Sequence, residues 1–245
     1  MRRRNFLAGA SAAVLAGCNR VAESGPGGQL LGAADDWHRQ AQRLLNPRTA
    51  LAPEFPRHLI SPVFRGNGSV DPPEPAYRRH AANGFADWRL EVRGLVDTPL
   101  SLTLDNIRRL PQRTQITRHD CVEGWSAIGQ WTGPKLSILL EAAGLRPEAR
   151  YIVFRCADVL SGAPYYESVD LIDAFHEQTI VAHQLNGAPL PVKNGAPLRM
   201  RIERQLGYKH AKYLTAIEAV TSLDGIGGGK GGYWEDRGYQ WYAGI

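Results

Sequence analysis

Arg118-His119-Asp120-Cys121-Val122-Glu123-Gly124-Trp125-Ser126 sets one thiol beside two basic side chains and an aromatic ring, near the middle of a chain of 245 residues. Positive neighbours lower a thiol's pKa and favour the thiolate, the form that ligates metals and attacks electrophiles. The alternative is a structural cysteine, since free cysteine is among the most buried residue types. Gln115 to Arg118 reads as a strand leading into Cys121. The thiol then falls at or just past a strand end, where loops present chemistry from a rigid base.

Outward from this stretch the pattern is mixed. Before it, Trp88 to Val96 alternates apolar and polar residues as a half-buried strand does. Leu102 to Leu110 reads as a short helix that Thr103 can cap. After it, Pro134 to Ala143 is helical: Gly133 caps it, Pro134 suits the first position and Gly144 the stop. Tyr151 to Arg155 is a buried strand that ends at Cys156. A short helix near Ile172 to His176 follows, then strands at Thr179 to His183, Leu198 to Ile202 and Leu214 to Ser222. No His-x-x-x-His or Cys-x-x-Cys spacing supports a zinc site.

Two loops stand out. Pro53 to Tyr77 is rich in proline and contains Phe64-Arg65-Gly66-Asn67-Gly68-Ser69. Long ordered loops are often functional, although Asn-Gly is also a common turn dipeptide. Lys193-Asn194-Gly195-Ala196-Pro197-Leu198-Arg199 precedes Gln205-Leu206-Gly207-Tyr208-Lys209-His210-Ala211-Lys212. Backbone amides of a glycine loop with Lys or Arg at hand make an anion site, and Arg holds phosphate oxygens in a bidentate fork. The alternative there is a solvated basic loop. Gly225 to Gly232 lacks the spacing of a phosphate-binding P-loop and reads as a connection. The aromatic tail, Tyr233 to Tyr242, is either a segment docked on the core or a rim of a substrate funnel.

The first residues read as an address. Arg3-Arg4-Asn5-Phe6-Leu7 fits a twin-arginine export signal, and Leu15-Ala16-Gly17-Cys18 fits a lipobox whose cysteine is acylated. The domain plan is a signal peptide over 1–17, a flexible tether over 18–34 and one domain over 35–245, with a short helix from Asp35 to Leu45. In the periplasm both Cys121 and Cys156 meet oxidising conditions, so a Cys121–Cys156 disulfide is the structural alternative. The formal charge of +5 falls to about +2 without Arg2, Arg3 and Arg4, and no basic stripe with interleaved aromatics points to nucleic acid. With 43% hydrophobic residues the chain supports one well-buried domain, expected as a monomer.

The Cys121-Val122-Glu123-Gly124-Trp125-Ser126 run resembles the molybdenum-ligand segment of the sulfite oxidase family, most of all its periplasmic branch, which includes the catalytic subunit of the methionine sulfoxide reductase system. The resemblance extends from about Phe64 to the C-terminus. Asn194 to Arg199 matches the family's N-G-x-P-x-R, and Gly207 to Lys212 its G-[YF]-K-x-x-K. It implies an α+β, strand-rich, single-domain molybdopterin-binding fold with short helices. It implies a molybdenum–molybdopterin cofactor whose one protein thiolate is Cys121. Asn67, Cys156, Asn194, Arg199, His210, Ala211 and Lys212 are the implied cofactor contacts. Cys156 replaces a threonine of the reductase. Arg118 and His119 are candidates for tuning the thiolate or steering an anionic substrate. The implied activity is oxygen-atom transfer coupled to two-electron redox on a small sulfur- or nitrogen-containing substrate, with a membrane cytochrome or soluble c-type haem protein as electron partner. The competing expectation is a lipid-anchored scaffold protein without catalysis, carrying the disulfide.

Overall fold

The computed structural model describes residues 25 to 245. The signal peptide, the lipobox and Cys18, and the start of the tether lie outside the described residues. The chain divides at Pro47/Arg48 into two units. In the first, helix α1 spans Gly25–Leu45. It therefore begins ahead of Asp35 and takes in much of the stretch read as a tether. Pro26 suits a first turn, and no further proline interrupts the chain before Pro47. No described helix is long and apolar enough to cross a membrane.

The second unit carries eleven strands among the described residues: β1 (Arg89–Gly94), β2 (Leu100–Thr103), β3 (Gln112–Cys121), β4 (Trp125–Pro134), β5 (Tyr151–Leu160), β6 (Ala163–Asp170), β7 (Thr179–Ala182), β8 (Gln184–Leu185), β9 (Ala188–Pro189), β10 (Arg199–Ile202) and β11 (Leu214–Val220). Four short helices intervene: α2 (Pro75–Ala82), α3 (Leu104–Arg109), α4 (Leu136–Ala143) and α5 (Leu171–Ala174). The strands form a five-stranded sheet in the order β2-β1-β11-β5-β6, a four-stranded sheet β3-β4-β8-β9 and the pair β10-β7. Among the described strands only β1 and β11 run parallel; the other pairings are antiparallel.

The main core lies on the five-stranded sheet. Val92, Ile217 and Phe154 stand in register across β1, β11 and β5 and are fully buried. Helix α4 adds Leu136, Leu139, Leu140 and Ala143 to the same cluster. Their i, i+3, i+4, i+7 spacing puts all four on one face. Each of the three leucines stabilises the fold by about 1.5–3 kcal/mol when fully buried. The helix ends where expected, with Gly144 at φ 69°. Helix α3 is capped as read: Thr103 accepts from the Asn106 amide, and the Asn106 side chain returns a bond to the Thr103 amide. A smaller cluster of Phe64, Ala127, Trp131, Ile180, Ala182, Leu185, Leu190 and Ala196 sits under the β3–β4 hairpin.

Two details aim chemistry at one place. The β3–β4 hairpin closes at Val122-Glu123-Gly124, with Cys121 paired to Trp125 and Gly124 at φ 83°. A three-residue hairpin loop needs such a left-handed residue, and glycine supplies it without steric cost. Strand β5 carries a bulge between Arg155 and Val159. Bulges commonly redirect a side chain beside a site.

Candidate cofactor site

Strand β3 alternates, and the alternation decides the site. Gln115, Thr117, His119 and Cys121 share its buried face, while Arg118 is exposed. Successive side chains of a strand point to opposite faces. Arg118 therefore lies across the strand from the thiol and pairs with Asp120 at 2.9 Å. The expectation that Arg118 tunes Cys121 is corrected by this period of two. His119 stays on the thiol's face, but not as a cation. Burial first, then Arg201, Arg199 and Lys212, hold its pKa well below the usual histidine range. Burial pushes the Cys121 thiol up from its ordinary value; the Glu123 amide pulls it back and the Glu123 charge raises it again. The lowered thiol expected from basic neighbours is absent in the protein alone. A bound metal cation reverses that logic, because a coordinating thiol is deprotonated outright.

Below the thiol lies a polar network on β10. Arg201 donates to His119 Nδ1 at 2.8 Å and to Glu203 at 2.5 and 3.0 Å. A guanidinium has only donors, so Nδ1 is the acceptor and the His119 proton sits on Nε2. That Nε2 is buried without a hydrogen-bond partner. His210 is the mirror case: Nε2 donates to the Gln205 carbonyl at 3.0 Å, and Nδ1 is left an unpartnered acceptor. The two rings stand edge to face, 5.1 Å apart. Gly207 makes this approach possible, since a Cβ there would come within 2.5 Å of His119 Nε2.

A cavity of about 130 Å³, partly open to solvent, joins these elements. Its lining includes Cys121, Glu123, Asn67, Asp158, His210 and Lys212. The structure thus brings together four of the expected residues: Asn67, Cys121, His210 and Lys212. Lys212 Nζ donates to the Asn67 carbonyl at 2.6 Å, to the Ser69 carbonyl and to the Lys193 carbonyl at 3.3 Å. Arg199 and Asn194 lie behind the wall. Arg199 is fully buried, donates to the Asn194 carbonyl at 2.9 Å and to the His210 carbonyl at 3.3 Å, and lies over the Trp131 ring. Ala211 is buried away from the lining; its carbonyl accepts from Met200 and its amide donates to Lys209. Cys156 faces a different cavity, with Arg155, Tyr166 and Arg237. Cys121 and Cys156 are both free thiols, which removes the expected disulfide alternative.

The charge balance shows what the cavity accepts. Arg199 and Lys212 have no carboxylate within ion-pairing distance among the described residues. Burial and then Arg199 pull Lys212 down to about 7, and burial and then Arg201 pull Arg199 down to about 9. Buried cations without counter-charge are costly, and an anion placed beside them removes the cost. Asp158, which sequence reading missed, is 2% exposed with Oδ1 unpartnered, and burial raises its pKa to about 7. The bulge of β5 delivers it. Its only trace in the sequence is an acid among the mostly apolar residues of that strand.

A phosphate-bearing pterin with a metal fits these residues. Lys212, with Arg199 behind it, offers positive charge for the phosphate. Asp158 Oδ1 and His210 Nδ1 offer acceptors for a heterocycle edged with N–H groups. Cys121 offers the single thiol. No cluster of three or more His, Cys, Asp or Glu among the described residues forms an all-protein metal site. Fold and site together fit a protein that holds an anionic organic cofactor, with one thiol on the cavity wall to meet its metal.

The chain belongs to the molybdopterin-binding oxidoreductase family of the sulfite oxidase type: the model of the oxidoreductase molybdopterin binding domain matches residues 78–224. Its cofactor is molybdenum–molybdopterin, and the chain is an enzyme. It is 37% identical over 244 residues to YedZ1 of Azospira oryzae, assigned by name to a protein-methionine-sulfoxide reductase, covering 100% of this chain and 86% of that one. It is 33% identical over 172 residues to the protein-methionine-sulfoxide reductase catalytic subunit MsrP of Gluconobacter oxydans, covering 65% of this chain and 53% of that one. The chain thus spans about half the length of that MsrP relative. Among solved structures, the sulfane dehydrogenase SoxCD from Paracoccus pantotrophus matches with a TM-score of 0.52 at 23% identity, over 56% of this chain and 39% of that one. That likeness confirms the fold.

Proposed function

We propose that the enzyme reduces a sulfoxide in the periplasm, taking two electrons from a haem-bearing partner. The observation that carries the reading is the Cys121 thiol on a cavity wall shared with the unpaired cation Lys212. The names of the relatives at 37% and 33% identity support a sulfoxide as substrate. When bound, the cofactor supplies a metal that exchanges an oxygen atom with substrate as two electrons pass. The chain's own part is to hold the metal by Cys121, neutralise the phosphate by Lys212 and Arg199, and orient the pterin by Asn67, Asp158 and His210. Asn194 and Ala211 act through the backbone that positions Arg199 and the loop of Lys212. The reaction consumes two protons and two electrons, breaks the S–O bond and releases the sulfide and water. The deciding experiment expresses the protein in a cofactor-competent host and measures bound molybdenum and sulfoxide reduction with a reduced viologen donor. Stoichiometric molybdenum without sulfoxide turnover would refute the substrate reading.

The cation pair gives a prediction independent of the thiol. Truncating a buried partner of a bound anion costs the complex about 2–5 kcal/mol. Arg199→Ala and Lys212→Ala are expected to purify with substoichiometric molybdenum and activity lost in proportion. Their apo fraction melts earlier, since a ligand that binds only the folded state stabilises it. Lys230→Ala, in the glycine-rich connection, keeps full metal content. Equal molybdenum in all four proteins would detach this loop from the cofactor.

Arg3-Arg4 and Leu15-Ala16-Gly17-Cys18 support export through the twin-arginine route and a lipid anchor at Cys18. Replacing Arg3 and Arg4 by Lys is expected to retain the protein in the cytoplasm, and Cys18→Ala to release it from membranes. Mass spectrometry of the mature N-terminus checks this, and an unmodified terminus elsewhere than Cys18 contradicts it. The electron donor on this reading is a membrane cytochrome or a soluble c-type haem protein.

A further inference from the structure

The C-terminal segment folds back as a fixed wall. Tyr233 N–H donates to the Tyr166 carbonyl at 2.9 Å and Leu206 N–H to the Ala243 carbonyl at 2.9 Å. Tyr208 Oη donates to the Gln240 carbonyl at 2.6 Å and Trp241 Nε1 to Ser168 Oγ at 2.8 Å. Glu235 reaches down to the fully buried Lys209, which stands between the cavity residues Tyr208 and His210. The segment is therefore tied to the loop that lines the cofactor cavity.

Held this way, Trp234 and Tyr239 line the same cavity as Cys121. Their rings lie 5.3 Å apart at 40°, and Tyr239 meets Tyr208 edge to face at 5.2 Å. Tyr239 is 40% exposed, which places it at the mouth. The segment's charges are engaged elsewhere. Asp236 accepts from Tyr166 and from the amides of Gly228 and Lys230, and Arg237 lies 3.6 Å over the Tyr233 ring. What the segment offers the cavity is aromatic surface.

We propose that Trp234, Tyr239 and Tyr208 determine specificity, forming an aromatic rim that selects sulfoxides carrying an apolar arm over small, armless ones. This rests on the sulfoxide reading of the preceding subsection and names its substrate class. Sulfur-bearing and aryl groups gain from contact with aromatic rings, and three rings already packed together lose little freedom on contact. A methionine sulfoxide side chain or an aryl sulfoxide lays its arm on the rim while its S–O group reaches the Cys121 side of the cavity.

The test measures kcat/KM for methyl phenyl sulfoxide and for dimethyl sulfoxide with reduced viologen, alongside bound molybdenum. Trp234→Ala and Tyr239→Ala are expected to lower the ratio of the two kcat/KM values roughly tenfold, mainly through KM for the aryl substrate. Trp234→Phe keeps most of the ratio, and molybdenum stays at the wild-type level in all three. Should Trp234→Ala not fold, Tyr239→Ala decides, its ring being partly exposed. An unchanged ratio in fully loaded alanine variants overturns the rim, as does loss of molybdenum, which would assign these rings to the cofactor. A loaded wild type that reduces neither sulfoxide refutes the reaction itself, and the rim falls with it.

Discussion

Cys121→Ala protein is expected to fold and to show no measurable turnover. The thiol is 8% exposed and ends a ten-residue strand paired along its whole length with β4. Deleting its sulfur removes little packing, about 1 kcal/mol by analogy with small core truncations. The melting transition should stay close to that of the wild-type apo protein. Catalysis is another matter. A metal contributes several kcal/mol of charge stabilisation to a reaction, and each 1.36 kcal/mol is tenfold in rate. On the proposed role of Cys121 as the metal's protein ligand, its loss should lower turnover by a factor on the order of 10³ or more. Cys121→Ser tests whether an oxygen ligand substitutes. Full activity in Cys121→Ala would end the assignment of this residue to the metal, whatever the cofactor content.

Lys209→Met is expected to be the most destabilising single change away from the hydrophobic core. Lys209 is fully buried between Glu167, at 2.7 Å, and Glu235. The two carboxylates hold the lysine's pKa up, and burial raises that of Glu167 well above the usual carboxylate range. Removing the cation leaves two acids facing each other without solvent. Breaking a buried pair costs about 3–5 kcal/mol. In a domain of this size each kcal/mol moves Tm by roughly 2–4 °C, so a fall of about 6–20 °C follows. The double variant Lys209→Met/Glu235→Gln should recover part of it, because one charge goes with its partner. Limited proteolysis should also cut the C-terminal segment first, since Glu235 anchors it. A Tm within 2 °C of wild type, to take a round threshold below the smallest shift expected, would mean the cluster carries no net stability.

Local rules made part of this protein legible in its sequence. Thr103 as a cap, Gly144 as a stop and the strand leading into Cys121 depend on neighbours a few residues away, and the structure has them. The Lys193–Lys212 stretch reads as a candidate anion site because its residue types, glycines and cations, carry that chemistry themselves. Five strands and a helix were not legible: β2, β4, β6, β8 and β9, and α2, whose first three residues overlap the proline-rich stretch read as a loop. In β4 the glycines at 129 and 133 blur the pattern, although Gly133 is needed because a Cβ there would strike the Val181 carbonyl of a neighbouring strand. That demand comes from the packing of strands distant in sequence.

By itself the sequence determined the chemistry on offer: one thiol at a strand end, a cationic glycine loop, an aromatic tail. Tertiary structure decided which groups meet and in what charge state. Pleating turned Arg118 away from Cys121, and burial left His119 neutral and the thiol protonated in the protein alone. A bulge swung Asp158 into the cavity, and a buried lysine drew the tail across its mouth. The division has a physical reason. Backbone propensity and side-chain chemistry are properties of a residue and its near neighbours, whereas pKa, ion pairing and cavity shape depend on what other strands exclude water from, and that is fixed only when the chain closes on itself.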